Sequence, residues 1–168
     1  DGLTDGIVDE QEKTVADLEQ AVNWADTQTN QGPLYVYLVD HGEKNGSFLV
    51  GDQEILTADQ LDAMLDGFDP QRQVVVILEA CYSGSFLEAL KAENRGVITS
   101  SSAGNYSYHG SSGSRSFSQF LSNALFQGKN WKNAFDQAVS DLNNLGNPYA
   151  LMQPQASFGA GITPQKVY

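Results

Sequence analysis

The sequence has little of three things that mark common functional classes: it contains one cysteine, nine basic residues and no long hydrophobic run. A single cysteine excludes an intrachain disulfide framework, although one free catalytic thiol is compatible with any compartment. Nine basic against 21 acidic residues give a net charge of -12, which disfavours nucleic acid and anionic membranes because both bind basic surfaces. No apolar stretch approaches the ~18 residues of a membrane span. The composition therefore favours an acidic globular protein without nucleic-acid binding or membrane insertion.

The chain length favours one domain. Its 168 residues, 40% of them apolar, suffice for one hydrophobic core and are too few for two comfortable ones. Residues 1–10 combine glycine with four acids and predict an acidic linker. An aspartate-rich calcium loop is the alternative for this stretch, but the D-x-D-x-D-G alternation is not completed. We therefore predict a single domain over residues 11–168.

Apolar periodicity predicts strands that alternate with helices. The predicted strands are Leu34–Val39, Gln73–Leu78 and Gly96–Ser100, with a hairpin of Ser47–Val50 and Glu54–Leu56; the predicted helices are Thr14–Ala25, Thr57–Leu65, Ser85–Ala92, Ser116–Gln127 and Asn130–Leu145. The tail from Gly146 is rich in Pro, Gly and Gln and predicts no element. Alternating strands and helices imply parallel pairing with right-handed crossovers. The fold class is therefore an α/β three-layer sandwich with a mostly parallel sheet.

The only cysteine and one of the two histidines each follow a wholly apolar run. The segment VVVILEACYSG carries Cys81, and LYVYLVDHG carries His41. Because parallel strands end at the same edge of a sheet, both side chains are expected at one crevice. A thiol is nucleophilic as the thiolate, which a nearby imidazole or a helix N-terminus favours. The predicted helix after Cys81 would supply the helix N-terminus.

These residues also have simpler interpretations. Free cysteine is most often a small buried hydrophobe, and His41 could be an ordinary loop histidine. Turn residues rather than further core follow Cys81, which favours the catalytic interpretation. His109 lies in a serine-rich loop without strand context and is predicted to be solvent exposed. One cysteine and two distant histidines give no zinc pattern, and acyl transfer by a thiol requires no cofactor.

The motifs YLVDHG and ILEACYSGS resemble those of the legumain (asparaginyl endopeptidase) family, within the clan that includes the caspases. The caspase signature likewise places a histidine ~50 residues before the cysteine; here the separation is 40 residues. The resemblance implies a caspase-like fold and a cysteine endopeptidase that cleaves polypeptides through a thioester acyl-enzyme. A transpeptidase of the same chemistry, or a non-catalytic protein-binding module, are the alternatives.

The resemblance also implies roles for particular residues. Cys81 corresponds to the nucleophile and His41 to the general acid and base, while the amides of Gly42 and Cys81 would bind the oxyanion. Asp40 matches an aspartate close to the active centre, and Glu79 matches a residue that lines the pocket for the side chain before the scissile bond, called P1. Ser107, in the segment AGNYSY, is placed in another wall of that pocket.

Glu79 sets the expected specificity. A carboxylate accepts hydrogen bonds and pairs with cations, which favours an amide or a basic group in the pocket. With the family resemblance, cleavage after Asn or Asp is the first expectation and cleavage after Arg or Lys the second. Arg115 lies near the pocket-forming stretch in a loose alignment and would neutralise Glu79.

The resemblance also implies strands that this sequence does not show. In the family, a strand, a helix and another strand precede the histidine strand, whereas only linker and one helix precede Leu34. Without a neighbour, the run Leu34–Val39 would be an exposed apolar edge. We therefore expect a preceding segment or a separate chain to complete the sheet. The sequence does not determine the cellular compartment; a secreted or cell-surface protein of a prokaryote is our expectation.

Overall fold

The computed structural model describes residues 14–28, 32–51, 54–110 and 115–162. Within these ranges lie four α-helices and six strands: α1 (Val15–Thr27), β1 (Leu34–Val39), β2 (Ser47–Val50), β3 (Glu54–Thr57), α2 (Ala58–Leu65), β4 (Val74–Glu79), β5 (Arg95–Thr99), α3 (Phe117–Phe126), α4 (Trp131–Asn144) and β6 (Gln155–Phe158). The predicted linker and its calcium-loop alternative, residues 1–10, lie outside the described residues.

Four of the strands form the central sheet in the order β1-β4-β5-β6. The first three are parallel and β6 is antiparallel to β5, while β2 and β3 form a separate hairpin. The predicted α/β sandwich with a mostly parallel sheet is therefore confirmed. Strand β6 lies in the tail where no element was predicted, because it has only four residues and gains its partner through packing against β5.

The sheet separates two hydrophobic cores. Alternate residues of β4 point to opposite sides: Val74 and Val76 pack with α1 and α2, and Val75 packs with α3 and α4. Strands that are covered on both faces are apolar throughout rather than alternating. This burial explains why the run that ends before the cysteine has almost no polar residues.

The first two helices begin where the sequence indicates. Thr14 caps α1 with Asp17, and Thr57 caps α2 with Gln60, each pair forming a reciprocal capping box. In such a box the cap hydroxyl and the N3 side chain each satisfy a backbone amide of the first turn.

The predicted helix over Ser85–Ala92 is wrong. Only a short 3-10 turn forms, from Ser83 to Phe86. Tyr82 before it has a φ of 58°, in the left-handed region that does not continue into a helix. A Cβ at Gly84 would overlap the amide oxygen of Gln155 and lie 2.6 Å from the backbone nitrogen of Ala103. This close packing holds the segment as a turn, so no α-helix N-terminus follows Cys81.

Arg95, the first residue of β5, is 3% exposed and pairs with two carboxylates, Asp62 of α2 at 2.5 Å and Asp66 just after that helix at 2.7 Å. We predict that Asp62→Ala lowers the free energy of unfolding by roughly 1.5–3 kcal/mol, because a hydrogen bond to a buried charged group is lost. Urea denaturation measures this change. The control Asp136→Ala removes an exposed i, i+4 pair with Lys132 and should cost at most ~0.5 kcal/mol; equal costs would contradict the prediction.

Strand β1 forms an edge of the sheet. No strand of the described residues pairs with its outer side, and Tyr35, Tyr37 and Val39 are each about half exposed. A cavity of about 350 Å³ lies beside it, between the start of α1 and strand β2. No helix in the described part of the chain is long and apolar enough to cross a membrane.

Candidate active site

The register of the sheet brings the histidine and the cysteine together. Leu34 pairs with Val74 and Val39 with Glu79, so β1 and β4 are offset by 40 residues throughout. His41 and Cys81 have the same separation, each two residues beyond its strand. Neighbouring strands lie about 4.8 Å apart. The two residues therefore leave the sheet side by side at its carboxyl edge.

Gly42 makes this approach close. A Cβ on Gly42 would overlap the carbonyl oxygen of Cys81 and lie 3.3 Å from the Cβ of Ala80. The backbone around Gly42 continues into the hairpin, because Leu49 donates its amide to the carbonyl of His41 at 2.8 Å and Glu43 donates to Ser47. The amides of Gly42 and Cys81 donate no hydrogen bond within the described residues. These two amides therefore have no acceptor among the described residues.

Buried serines hold the turn that carries Cys81. Ser100 Oγ accepts from the amide of Ala80 at 3.1 Å and lies 2.9 Å from Ser107 Oγ, and Ser101 Oγ donates to the carbonyl of Ala80 at 2.9 Å. All three serines are buried. Buried polar groups that are fully bonded rigidify their surroundings, so the residue before Cys81 is fixed on both its amide and its carbonyl.

A loop runs antiparallel to the end of β4. Tyr82 donates its amide to the carbonyl of Asn105 at 2.8 Å, and Ser107 donates its amide to Cys81 Sγ at 3.4 Å. Further along, His109 Nδ1 lies 3.5 Å from Glu79 Oε1. Ser107, predicted to line the pocket, thus lies directly against the thiol through its backbone.

Glu79 is the most buried charged group of the site, with 1% of its side chain exposed. Its Oε2 accepts from the Ser118 amide at 3.1 Å, from the Ser118 hydroxyl and from the Tyr37 hydroxyl at 3.4 Å. Ser118 lies in the first turn of α3, where free amides and the helix dipole favour an anion. Oε1 has no hydrogen-bond partner within the described residues.

Burial raises the pKa of Glu79, while the charge of His109 and the amides of Ser118 and Phe117 lower it. The folded protein therefore holds the proton more tightly than the unfolded chain, and the contribution of Glu79 to stability is lost as the pH rises from about 4.5 through the raised value.

We predict that Glu79→Gln removes this loss. Relative to the wild type, the variant should gain unfolding free energy as the pH increases from 4 to 7, because it has no buried carboxylate to ionise. Urea denaturation at each pH provides the measurement, with the exposed Glu88→Gln as control. If the unfolding free energy of Glu79→Gln relative to the wild type stays constant or falls as the pH rises, burial does not raise the pKa of Glu79.

The basic side chain beside Glu79 is that of His109 rather than Arg115. Arg115 is exposed and makes no ion pair with a described residue. His109, predicted to be solvent exposed, is 45% exposed, yet its Nδ1 faces Glu79. The sequence alone gave no signal for this contact, because a loop histidine has no periodicity that reveals its partner. The contact of Tyr37 with Glu79 is easier to predict from the sequence. Val39 pairs with Glu79, and Tyr37, two residues before Val39, lies on the same face of the sheet.

Asp40 lies at the exposed end of β1. Its Oδ1 accepts from the amide of the next residue, His41, at 2.7 Å. This local bond shapes the turn that carries the histidine. Among the described residues, no group of three or more His, Cys, Asp or Glu side chains lies close enough to hold a metal ion.

The fold resembles that of a known structure. The crystal structure of caspase-1 from Spodoptera frugiperda is similar to this chain with a TM-score of 0.61 at 16% sequence identity, over 85% of this chain and 67% of that one. At this identity the likeness shows the fold, which is caspase-like. No curated protein sequence matches the chain.

The family follows from a second comparison. The model of the peptidase C13 family matches residues 16–157, which is most of the chain. The chain therefore belongs to the peptidase C13, or legumain, family. It is a cysteine-type endopeptidase whose substrates are polypeptides.

Proposed function

We propose that Cys81 and His41 form the catalytic dyad of this peptidase. The thiolate of Cys81 attacks the scissile carbonyl and forms a carbon–sulfur bond, and His41 delivers the thiol proton to the departing amine as the carbon–nitrogen bond breaks. Water, deprotonated by His41, then hydrolyses the thioester. The observation that carries the proposal is that His41 and Cys81 follow two paired parallel strands and share the 40-residue offset of that pairing. No cofactor takes part in these steps.

The amides of Gly42 and Cys81 are proposed to bind the oxyanion. Both lie at the point where the two strand ends meet, and neither donates elsewhere in the described chain. Fixed donors of this kind stabilise the charge that develops on the carbonyl oxygen. Because Ala80 is held at both its amide and its carbonyl, the donor of the following residue has little freedom to move.

Glu79 is proposed to form the base of the P1 pocket, with Asp40 and Ser107 close to its rim. Glu79 lies two residues before Cys81, so their Cα atoms are at most about 7 Å apart. That distance suits the side chain of the residue whose carbonyl is attacked. The open oxygen Oε1 accepts from the amide of an Asn side chain, and burial raises the pKa of Glu79, which lessens its repulsion of an Asp side chain. We therefore propose cleavage after Asn or Asp in preference to Arg or Lys.

A set of fluorogenic peptides that differ only at P1 tests this proposal. We expect kcat/KM to be highest with Asn, followed by Asp, with Arg and Lys lower, and turnover to vanish in Cys81→Ala. Loss of turnover with Asn in Glu79→Ala, while iodoacetamide still alkylates Cys81, would support the pocket. Preference for an apolar P1 residue in the wild type would contradict it.

We also propose that a further strand, from a preceding segment or from a separate chain, pairs with the outer edge of β1. Half-exposed Tyr35, Tyr37 and Val39 and the adjoining cavity support this proposal, since an open apolar edge invites pairing. Sedimentation of the isolated 168-residue chain should show self-association or aggregation. A folded monomer that stays soluble at high concentration would contradict it.

A further inference from the structure

The two oxygens of Glu79 have different surroundings. Oε2 accepts three hydrogen bonds, from the amide and hydroxyl of Ser118 and from the Tyr37 hydroxyl. Oε1 is buried without a hydrogen bond, and the nearest cationic atom is His109 Nδ1 at 3.5 Å. A buried oxygen without a donor is costly. Oε1 therefore lacks a hydrogen-bond donor, on the side of Glu79 where His109 lies.

The imidazole is placed there by the loop that also contacts the nucleophile. Ser107 lies against Cys81 Sγ through its amide and carbonyl, at 3.4 and 3.8 Å. Two residues further along the loop, His109 meets Glu79, itself two residues before the cysteine. The His109 side chain is partly exposed, whereas that of Glu79 is buried.

An acceptor and a donor that face one another match a side chain that both donates and accepts hydrogen bonds. A carboxamide has an NH₂ group that donates and a carbonyl oxygen that accepts. An ammonium or guanidinium group only donates, and would leave the imidazole donor without an acceptor. The pair thus distinguishes an amide from a cation, which Glu79 alone does not.

We infer that His109 is a specificity-determining residue, which donates to the side-chain carbonyl of a P1 Asn while Glu79 Oε1 accepts from its NH₂ group. This inference rests on the proposed function, and it adds a residue on the loop after β5 to the pocket. Without His109, the pocket keeps Glu79, Ser118 and Tyr37, a set of oxygen atoms that binds an ammonium or guanidinium group well.

The test is the ratio of kcat/KM for two peptides that differ only in Asn or Lys at P1. We expect His109→Ala to lower the Asn/Lys ratio at least about tenfold, the effect of one lost hydrogen bond to a polar group. His109→Gln keeps an N–H donor and should retain part of the preference. The control Lys132→Ala removes an exposed charge on α4 and should leave the ratio unchanged.

The ratio separates specificity from folding, because a variant that is partly unfolded loses activity on both peptides alike. An unchanged ratio in His109→Ala, with the wild type active on the Asn peptide, overturns the role of His109 and leaves the proposed function intact. A wild type that cleaves neither peptide overturns both, and a wild type that prefers Lys overturns the role of His109 and the P1 assignment together.

Discussion

Cys81→Ala is expected to lower kcat/KM on an Asn peptide by roughly 10⁴-fold or more, and His41→Ala by a similar factor, because nucleophile and base act as one unit. The double variant should be no worse than either single variant. Steady-state kinetics with the fluorogenic peptides measures all three. The thermal midpoint of Cys81→Ala should stay within a few degrees of the wild type, since the thiol's hydrogen bonds among the described residues are two weak ones to the Ser107 backbone.

The second histidine provides the matched control. His109→Ala should change the choice of P1 residue and retain turnover, whereas His41→Ala should lose turnover with every P1 residue. Additive losses from Cys81→Ala and His41→Ala would indicate that the two residues act independently. Residual activity above about a tenth of the wild type in Cys81→Ala would exclude the thiol as nucleophile.

Gly42→Ala is expected to lower kcat by roughly 10²–10³-fold, the cost of one lost oxyanion donor. The added methyl would overlap the carbonyl oxygen of Cys81, so the two strand ends must separate. Overpacking of this kind costs typically 1–3 kcal/mol of stability. Kinetics and urea denaturation of the same preparation measure the two effects.

Gly104→Ala is the control for this substitution. Gly104 lies on the loop that contacts Cys81, has no positive φ and would meet nothing within 4 Å on gaining a Cβ. It should be near neutral in both assays. Equal losses in Gly42→Ala and Gly104→Ala would contradict the close approach of Gly42 as the reason for its effect.

Local sequence signals predict much of this architecture. The bounds of β1 follow from its apolar run between Pro33 and Asp40, and the starts of α1 and α2 follow from their capping boxes. The adjacency of His41 and Cys81 follows from two parallel strands that end at the same edge. Each of these features depends on neighbours in sequence or on one general rule of sheet topology.

The remaining features depend on contacts between distant segments. Strand β6 pairs antiparallel with β5 from a tail that has no strand pattern. The helix expected after Cys81 is replaced by a 3-10 turn because Gly84 packs against the segments around Ala103 and Gln155. The partners of Glu79 come from β1, α3 and a loop, and no local pattern connects these three.

The central claim is that His41 activates Cys81, and covalent labelling with a peptide epoxide ending in Asn tests it most directly. Because Cys81 is the only cysteine, a single adduct found by mass spectrometry and peptide mapping identifies the nucleophile. We predict one adduct at Cys81 in the wild type, none in Cys81→Ala, and labelling slowed by about 10²-fold or more in His41→Ala. Labelling of His41→Ala at the wild-type rate, or an adduct at a residue other than Cys81, would contradict the account.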